Sequence, residues 1–427
     1  LKVLLVGSGG REDALAWALS RSRKLARLRC APGNGGTARY AENVAIAAED
    51  VDALVDHAVG QRYDLVVVGP EVPLVHGLTD RLEREGIAVF GPSADAAQLE
   101  GSKIFAKLFM QRHGIPTAGF QVFSDPGEAR TYLESPDTRY PLVVKADGLA
   151  AGKGVILADD RETALVAAEG MLSGRDFGDA GRRILVEERL EGREASFFVL
   201  SDGKRFVELA TCQDYKRVRD GNGGLNTGGM GTYSPSAWLD DATRKTLIEK
   251  VVRPTIEGMA AEGMPYRGVL YTGVMLTEDG PKVLEFNARF GDPETQVLMP
   301  RLDGDWLDLL DRVARGTLGD TEPAWKDDAA VCVVLASGGY PGGYAKGHRI
   351  EGLEQAEASG AVVFHAGTRR EDGGYVTSGG RVLSVTALGH DLDAARRNAY
   401  TAVGKIHWCD EHHRNDIALD AVQRRDP

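Results

Sequence analysis

Cysteine is scarce in this chain: four in 427 residues, at positions 30, 212, 332 and 409, with no CxxC pair among them. The spacing excludes a disulfide framework and a cysteine zinc site, and it predicts buried thiols in a reducing compartment. Long apolar runs are missing too. The opening LKVLLVGSGG breaks into glycine after a strand-length run, unlike a secretory signal, and no stretch approaches the ~20 apolar residues of a membrane span. A soluble, cytoplasmic protein is expected. Positive charge is in deficit, with 51 Lys and Arg against 63 Asp and Glu for a net charge of −12. That balance argues against a general nucleic-acid or anionic-membrane binder.

Glycine, by contrast, is abundant: 53 residues, about 12% where about 7% is usual. With 43% hydrophobic residues and no Gly-X-Y period, the surplus belongs in loops of a globular protein. Fifteen of these glycines fall in four short segments, 7–10, 33–36, 148–154 and 221–231. At about 150 residues per domain, the length suggests roughly three domains.

Residues 1–102 alternate apolar runs at 2–6, 28–31, 44–47, 64–68 and 87–90 with amphipathic segments at 11–22, 51–59 and 73–85. This βα alternation predicts a parallel sheet covered on both faces, with ligands at the carboxyl ends of its strands. From 103 to 325 the pattern is α+β, with helices at 103–113, 162–172 and 241–262 and strands at 142–145, 184–188, 195–200, 269–276 and 282–287. Residues 326–427 read as a further α+β unit, with strands at 329–335, 361–365 and 381–388 and a helix at 391–404.

A nicotinamide site fits poorly at Gly7-Ser8-Gly9-Gly10-Arg11-Glu12. Glu12 stands where GxGxxG needs its third glycine, and the second strand ends in Ala31-Pro32 rather than a ribose-binding acid. The preferred expectation is an anion site on the N–H groups of Gly9 and Gly10, with Arg11 adding charge; a plain strand-to-helix turn is the alternative. Lys145 ends a strand and Lys153 lies in a glycine loop, but Gly154 follows Lys153 where a Walker A motif needs Ser or Thr. Two lysines flanking glycines still suit a polyphosphate. Alternation along 283–287 puts Val283, Glu285 and Asn287 on one face, and Glu285 with Asn287 could hold Mg²⁺ against a nucleotide. Arg289 and Asp292 follow in a turn. Six glycines in 221–231 leave that loop either disordered or held through its N–H groups. Asp214 beside Lys216 and Arg217 would suit a zwitterionic or anionic substrate.

Taken in order, GSGGRE, APGNGG, VGPEVPLV, LEGSK, KADGLAAGKGV, QDYKR, NTGGMGTYSP and EFNARFGDPETQ resemble the glycinamide ribonucleotide synthetases of the ATP-grasp superfamily, over essentially the whole chain. The resemblance implies a multidomain α/β and α+β fold: a Rossmann-like N-terminal domain (1–102), an ATP-grasp core (103–325) with a mobile lid at about 123–190, and an α+β C-terminal domain (326–427). It implies ligation of glycine to 5-phosphoribosylamine in purine biosynthesis, with ATP as co-substrate and Mg²⁺ or Mn²⁺ as metal. By the same resemblance, Lys107, Lys145 and Lys153 meet nucleotide phosphates. Main-chain groups of Glu187, Glu188 and Leu190 read adenine, Glu194 the ribose, and Glu285 and Asn287 hold the metal. Arg289, with Lys145 and Asp292, is the expected catalytic set, with Arg289 on the glycine carboxylate and Asp214 or Asp292 on an ammonium. Lys216, Gly228 and Gly229 join the substrate set, and Gly9, Gly10, Arg11 and Glu71 face the phosphoribosyl group.

The chain departs from the family at Asp13, usually His, where an acid would repel a phosphate bound at that helix start. It departs again at Asn415 and Ala418, usually Lys and Gly. Cys409, Asp410, His412 and His413 read as an exposed tail rather than a metal site. A monomer is expected, since no exposed apolar stripe demands a partner.

Overall fold

The apolar runs of the first hundred residues pair side by side in parallel because each connection returns the chain to the end of the sheet where the previous strand began. Strands β1 (Lys2–Gly7), β2 (Arg27–Pro32), β3 (Glu42–Asn43), β4 (Leu65–Val68) and β5 (Ala88–Phe90) form a parallel sheet in the order β3-β2-β1-β4-β5. Its helices are α1 (Gly10–Leu19), α2 (Val51–Gln61), α3 (Glu71–Val75) and α4 (Leu78–Arg84). The computed structural model describes residues 1–149, 154–175 and 178–424, and no helix among them is long and apolar enough to cross a membrane.

Two local expectations fail here. The run 44–47 is not a strand: β3 stops at Asn43, and the Val44 and Ile46 side chains pack on the core from a turn in which the Ile46 amide donates to the Val44 carbonyl at 2.7 Å. The helix expected at 73–85 is two helices, because Gly77 takes φ +80° between them.

After α5 (Gln98–Gly101) and α6 (Lys103–Arg112), strands β6 (Phe120–Phe123), β7 (Leu142–Ala146), β8 (Val155–Ala158) and β9 (Ile184–Glu188) form an antiparallel sheet ordered β6-β9-β7-β8. Helices α7 (Pro126–Glu134) and α8 (Arg161–Leu172) cover it, each begun by an aspartate whose side chain accepts an amide of the first turn: Asp125 from Glu128 at 2.9 Å, Asp160 from Thr163 at 2.8 Å. Leu133, Val144, Met171 and Val186 belong to a separate core inside this unit.

A second antiparallel sheet, β11-β10-β16-β17, comprises β10 (Arg193–Asp202), β11 (Phe206–Glu208), β16 (Arg267–Thr277) and β17 (Gly280–Asn287). The helix expected at 241–262 is α9 (Asp241–Leu247) and α10 (Arg253–Ala261) joined by a π-helical turn at Ile248–Val252. In β17 the register slips: Val274 opposes Val283, while Gly273 opposes Glu285. This bulge at Leu284 turns Val283 into the core beside Phe286 and leaves Glu285 with Asn287 on the other face, so the three residues do not share one face as simple alternation predicts.

The third sheet, β12-β15-β18-β23-β20, draws β12 (Gln213–Asp214) and β15 (Gly231–Ser234) from the middle of the chain. They join β18 (Ala329–Ser337), β20 (Val362–His365) and β23 (Arg381–Gly389), with β24 (Glu411–His412) on β18. The boundary expected at 326 therefore does not separate sheets. Helices α11 (Thr295–Arg301), α12 (Trp306–Ala314), α13 (Leu353–Ala358), α14 (Leu392–Val403) and α15 (Leu419–Gln423) and a small sheet of β19 (Arg349–Ile350), β21 (Thr368–Glu371) and β22 (Gly374–Thr377) complete this region.

The glycine-rich segment is ordered by its own chain. It folds as a hairpin of β13 (Arg217–Arg219) and β14 (Gly223–Asn226), tied to the C-terminal tail. The Gly221 amide donates to Asp416 at 2.8 Å, the Asn415 amide donates to Asp220 at 2.8 Å, and buried Arg414 donates to the Arg217 carbonyl and to Asn222, both at 3.0 Å. Ala418 sits at φ +64°, a conformation that explains glycine as the usual residue there. The tail is only partly the exposed segment expected: Cys409 and Asp410 are exposed, but His412 and His413 are half-buried, and His412 Nε2 lies 2.8 Å from the Val218 carbonyl. No group of three or more metal-ligating side chains occurs among the described residues.

Candidate active site

The face of the second sheet that carries Glu285 and Asn287 is set by cross-strand register. Tyr271 opposes Asn287, Gly273 opposes both Glu285 and Ser196, and Met275 opposes Glu194, so Glu194, Ser196, Glu285 and Asn287 share that face. Glu194 and Glu285 are exposed, and Asn287 is buried. Register thus brings the candidate ribose acid and the two candidate metal ligands onto one surface.

Beside it, Lys107 from α6 and Lys145 from β7 converge on one carboxylate. Lys107 Nζ lies 3.1 Å from Glu187 Oε2, and Lys145 Nζ lies 3.0 Å from Oε1. Lys107 also donates to Thr117 Oγ1 at 2.6 Å, and that hydroxyl donates to the Val283 carbonyl at 2.7 Å. Burial, reinforced by the neighbouring Lys145 charge, lowers the Lys107 amine to about 8 despite Glu187. Two ammonium groups on one carboxylate leave a net positive charge, suited to phosphate oxygens. The expected role of Glu187 concerned its main chain alone; its side chain was missed, because the pairing of β7 with β9 is not legible from sequence. The Glu188 amide is already committed to the Gly119 carbonyl at 2.9 Å, while the Glu188 side chain is exposed and Leu190 half-buried. Lys153 lies outside the described residues. Lys103, also missed, is half-buried and donates to the Gly148 carbonyl at 3.1 Å; burial lowers its amine, with Glu285 opposing.

Arg289 is held between two acids. Its Nε lies 3.3 Å from Glu71 and its Nη2 lies 3.0 Å from Glu100, whose other oxygen accepts the Ala288 amide at 2.6 Å. Burial pushes the Glu100 carboxyl up to about 7 against the pull of Arg289. Glu71 feels the same burial, but Arg289 and Arg11 hold it below its ordinary value. Glu100 lies within LEGSK, yet nothing local marks it as the partner of an arginine 189 positions further on.

The anion site expected at the start of α1 is filled by the chain's own acids. The Gly9 amide donates to Glu12 at 2.6 Å, and the Arg11 amide donates to Asp292 at 3.2 Å. The Arg11 side chain is buried, with Nε on Glu12 at 2.5 Å and Nη1 on the Phe290 carbonyl at 3.1 Å. Gly10 packs against Gln296, whose Nε2 would stand 2.7 Å from an added Cβ. A Cβ on Gly7 or Gly69 would meet Glu12 at 2.6 or 2.0 Å, so this carboxylate occupies the space above both glycines and excludes the close approach a dinucleotide requires. Asp13 turns away from this loop: it is buried, accepts the His365 amide at 2.6 Å and pairs with Arg39 at 3.5 Å. The repulsion expected from it is therefore directed elsewhere.

Asp292 stands where the three regions meet. Burial opposes its ionisation, but Arg381 and Arg11 hold it below the usual range, and Gln296 donates to it at 2.9 Å. Next to it opens a cavity of about 410 Å³, walled by Ser8, Gly9 and Asn34 on one side and by Thr368, Ser378 and Arg381 on the other. Gly228 and Gly229 approach from the hairpin, with their carbonyls accepting from Arg381 Nη1 at 2.9 and 3.4 Å. Gly229 has φ +120°, and a Cβ there would lie 2.5 Å from Pro293. Asp214 is buried and paired with Lys216, so neither is a free charge. Burial would depress the Lys216 amine, but Asp214 and Glu294 raise it well above its ordinary value. Glu294, a further residue missed, accepts from Tyr271 at 2.8 Å and from Ser196 at 3.3 Å.

This arrangement spans all three regions, and so do the matches to known proteins. The phosphoribosylglycinamide synthetase N domain matches residues 1–100, the ATP-grasp (A) domain residues 101–295 and the C domain residues 330–420. The chain belongs to the phosphoribosylglycinamide synthetase family. It is 52% identical to phosphoribosylamine–glycine ligase of Caulobacter vibrioides over 427 residues, covering 100% of this chain and 99% of that one. It is 49% identical to the enzyme of that name from Escherichia coli over 428 residues, covering 99% of each. The crystal structure of the Thermotoga maritima phosphoribosylamine–glycine ligase is similar at a TM-score of 0.87 and 35% identity, with 98% of this chain and 100% of that chain covered. Biotin carboxylase of Campylobacter jejuni, at 15% identity and a TM-score of 0.74, shares the fold. The lysine pair, the Glu285 face, Arg289 and Asp292 all fall within the residues matched by the ATP-grasp (A) domain.

Proposed function

We propose that the protein joins glycine to 5-phosphoribosylamine, with ATP converted to ADP and phosphate, forming glycinamide ribonucleotide in purine biosynthesis. Full-length family membership supports it, and one observation carries it: Lys107 and Lys145 share Glu187 beside the sheet face of Glu285 and Asn287. Phosphoryl transfer needs chiefly positioning and neutralisation of charge, and these residues supply both. Glu285 and Asn287 offer a carboxylate and an amide oxygen two positions apart, which fits Mg²⁺ or Mn²⁺ completed by phosphate oxygens and water; the metal would neutralise phosphate charge. Lys153 adds a further phosphate contact, Glu187 to Leu190 border the adenine and Glu194 the ribose.

Glycine carboxylate attacks the γ-phosphate to give glycyl phosphate and ADP. The amine of phosphoribosylamine then attacks the acyl carbon, phosphate leaves, and the amine gives up a proton. Arg289 neutralises the carboxylate and then the acyl phosphate, with Glu71 and Glu100 fixing its guanidinium. Asp292 holds the ammonium of glycine, and Gly9, Gly228 and Gly229 line the sugar-phosphate side. The chain acts as a cytoplasmic monomer, with a lid at about 123–190.

Coupled ADP release, with Mg²⁺, glycine and phosphoribosylamine generated in situ, tests this function. ADP appears only when all are present; release with formate, bicarbonate or a D-amino acid in place of glycine would refute it.

A further inference from the structure

The cavity beside Asp292 has two charged side chains on its walls, Asp292 and Arg381, and its volume of about 410 Å³ lies within the ~300–1,000 Å³ usual for small-molecule sites. The N-terminal loop cannot provide its cation. Arg11 is spent on Glu12 and the Phe290 carbonyl, and the helix-start amides of Gly9 and Arg11 are taken by Glu12 and Asp292. Arg381, entering from β23, is different. Its hydrogen bonds leave from Nη1 alone, to the carbonyls of Asp292 at 2.7 Å, Gly228 at 2.9 Å and Gly229 at 3.4 Å. Among the described residues, nothing accepts from its Nε or Nη2. A guanidinium has five donors in a rigid fork, so one edge is locked to the protein while the other remains available on the cavity wall. Ser378 and Thr368 line the same cavity.

We propose that Arg381 binds the 5′-phosphate of phosphoribosylamine through Nε and Nη2. A phosphate monoester matches the fork bidentately, and the amine end of the substrate points to Asp292. The same guanidinium then links the phosphate to the Gly228–Gly229 carbonyls. This assignment rests on the ligase function above, and it locates the phosphate anchor in the C-terminal region rather than at the start of α1.

The test is calorimetric, on the full chain, with two probes: glycinamide ribonucleotide and its dephosphorylated counterpart, glycinamide riboside. The wild type should prefer the ribonucleotide at least about 100-fold. Arg381→Gln should cut that preference at least about tenfold while leaving riboside affinity within about threefold, and Arg381→Lys should fall between. Because the preference is a ratio, it is insensitive to the fraction of folded variant. Should Arg381→Gln fail to fold, Ser378→Asp, which puts a negative charge on the same wall, should also lower the preference at least about tenfold. A wild type that discriminates together with variants that retain its full preference would overturn the assignment alone. A wild type that binds neither probe and releases no ADP would overturn the ligase function itself.

Discussion

Replacing Asp13 by Asn should remove a pH dependence of stability that this position imposes between pH 5 and pH 8. Asp13 lies on α1 against β20, fully buried, with Oδ2 on the His365 amide at 2.6 Å and near Arg39 Nη2 at 3.5 Å; Oδ1 meets no hydrogen-bond donor among the described residues. Burial raises its carboxyl from 3.8 to about 7, with Arg39 and the His365 amide opposing and Glu357 adding to the rise. His365 is itself held near 3 by burial and Arg39, and so is neutral in this range. Because the folded-state pKa is raised, the native chain binds more protons than the unfolded chain between pH 3.8 and about 7, and stability falls as pH rises through that window. The full penalty is about 4 kcal/mol above pH 7, and about 2–3 kcal/mol of it accrues between pH 5 and pH 8. Asn keeps an oxygen for the His365 amide, but its NH₂ lacks an acceptor, which costs about 1–3 kcal/mol at every pH. The variant should therefore gain about 2–3 kcal/mol on wild type between pH 5 and pH 8 and be the more stable of the two at pH 8. Urea unfolding followed by tryptophan emission reads this joint, since Trp17 packs edge-on against Phe364 at 5.9 Å. A stability difference constant within about 0.5 kcal/mol from pH 5 to pH 8 would refute the reasoning.

Lys107 titrates near 8, so its charge and the affinity for ATP should fall together between pH 7 and pH 9; Lys107→Arg, charged throughout, should flatten that profile in nucleotide-binding measurements. Arg289→Ala should lower turnover at least about tenfold, the size of one ~1.4 kcal/mol transition-state contact, and unchanged glycine kinetics would remove Arg289 from the mechanism. Among the cysteines, Cys409 alone is exposed, while burial raises the Cys30 and Cys212 thiols and pushes Cys332 up to about 12. A thiol reagent should accordingly titrate one rapid group in the native protein and four after denaturation.

That contrast shows how far sequence reasoning reached. Scarce, unpaired cysteines pointed to buried thiols, correctly for Cys30, Cys212 and Cys332 but not for Cys409, which lies in the segment also read as an exposed tail. Strands such as β1 and β4 were legible because a parallel strand covered on both faces must be apolar along its length. The 44–47 run looks the same and is not a strand, since a short apolar run can reach the core from a turn. In β17, strict alternation failed at Val283 because a bulge is a property of two paired strands rather than of one.

The sequence by itself determined the kinds of element, the ordered motifs that mark the family and the chemical types gathered in the cleft: lysines, an acid with an amide, and an arginine beside an aspartate. Those follow from local periodicity and residue chemistry. Only the tertiary structure decided which charges remain available. Glu12 and Asp292 fill the helix start, Glu187 unites two lysines, and one edge of Arg381, 89 residues beyond Asp292, meets no acceptor among the described residues. Asp13 finds its partner amide 352 residues away. A buried charge has to be paired or hydrogen-bonded, and its partner is set by register and packing between distant segments.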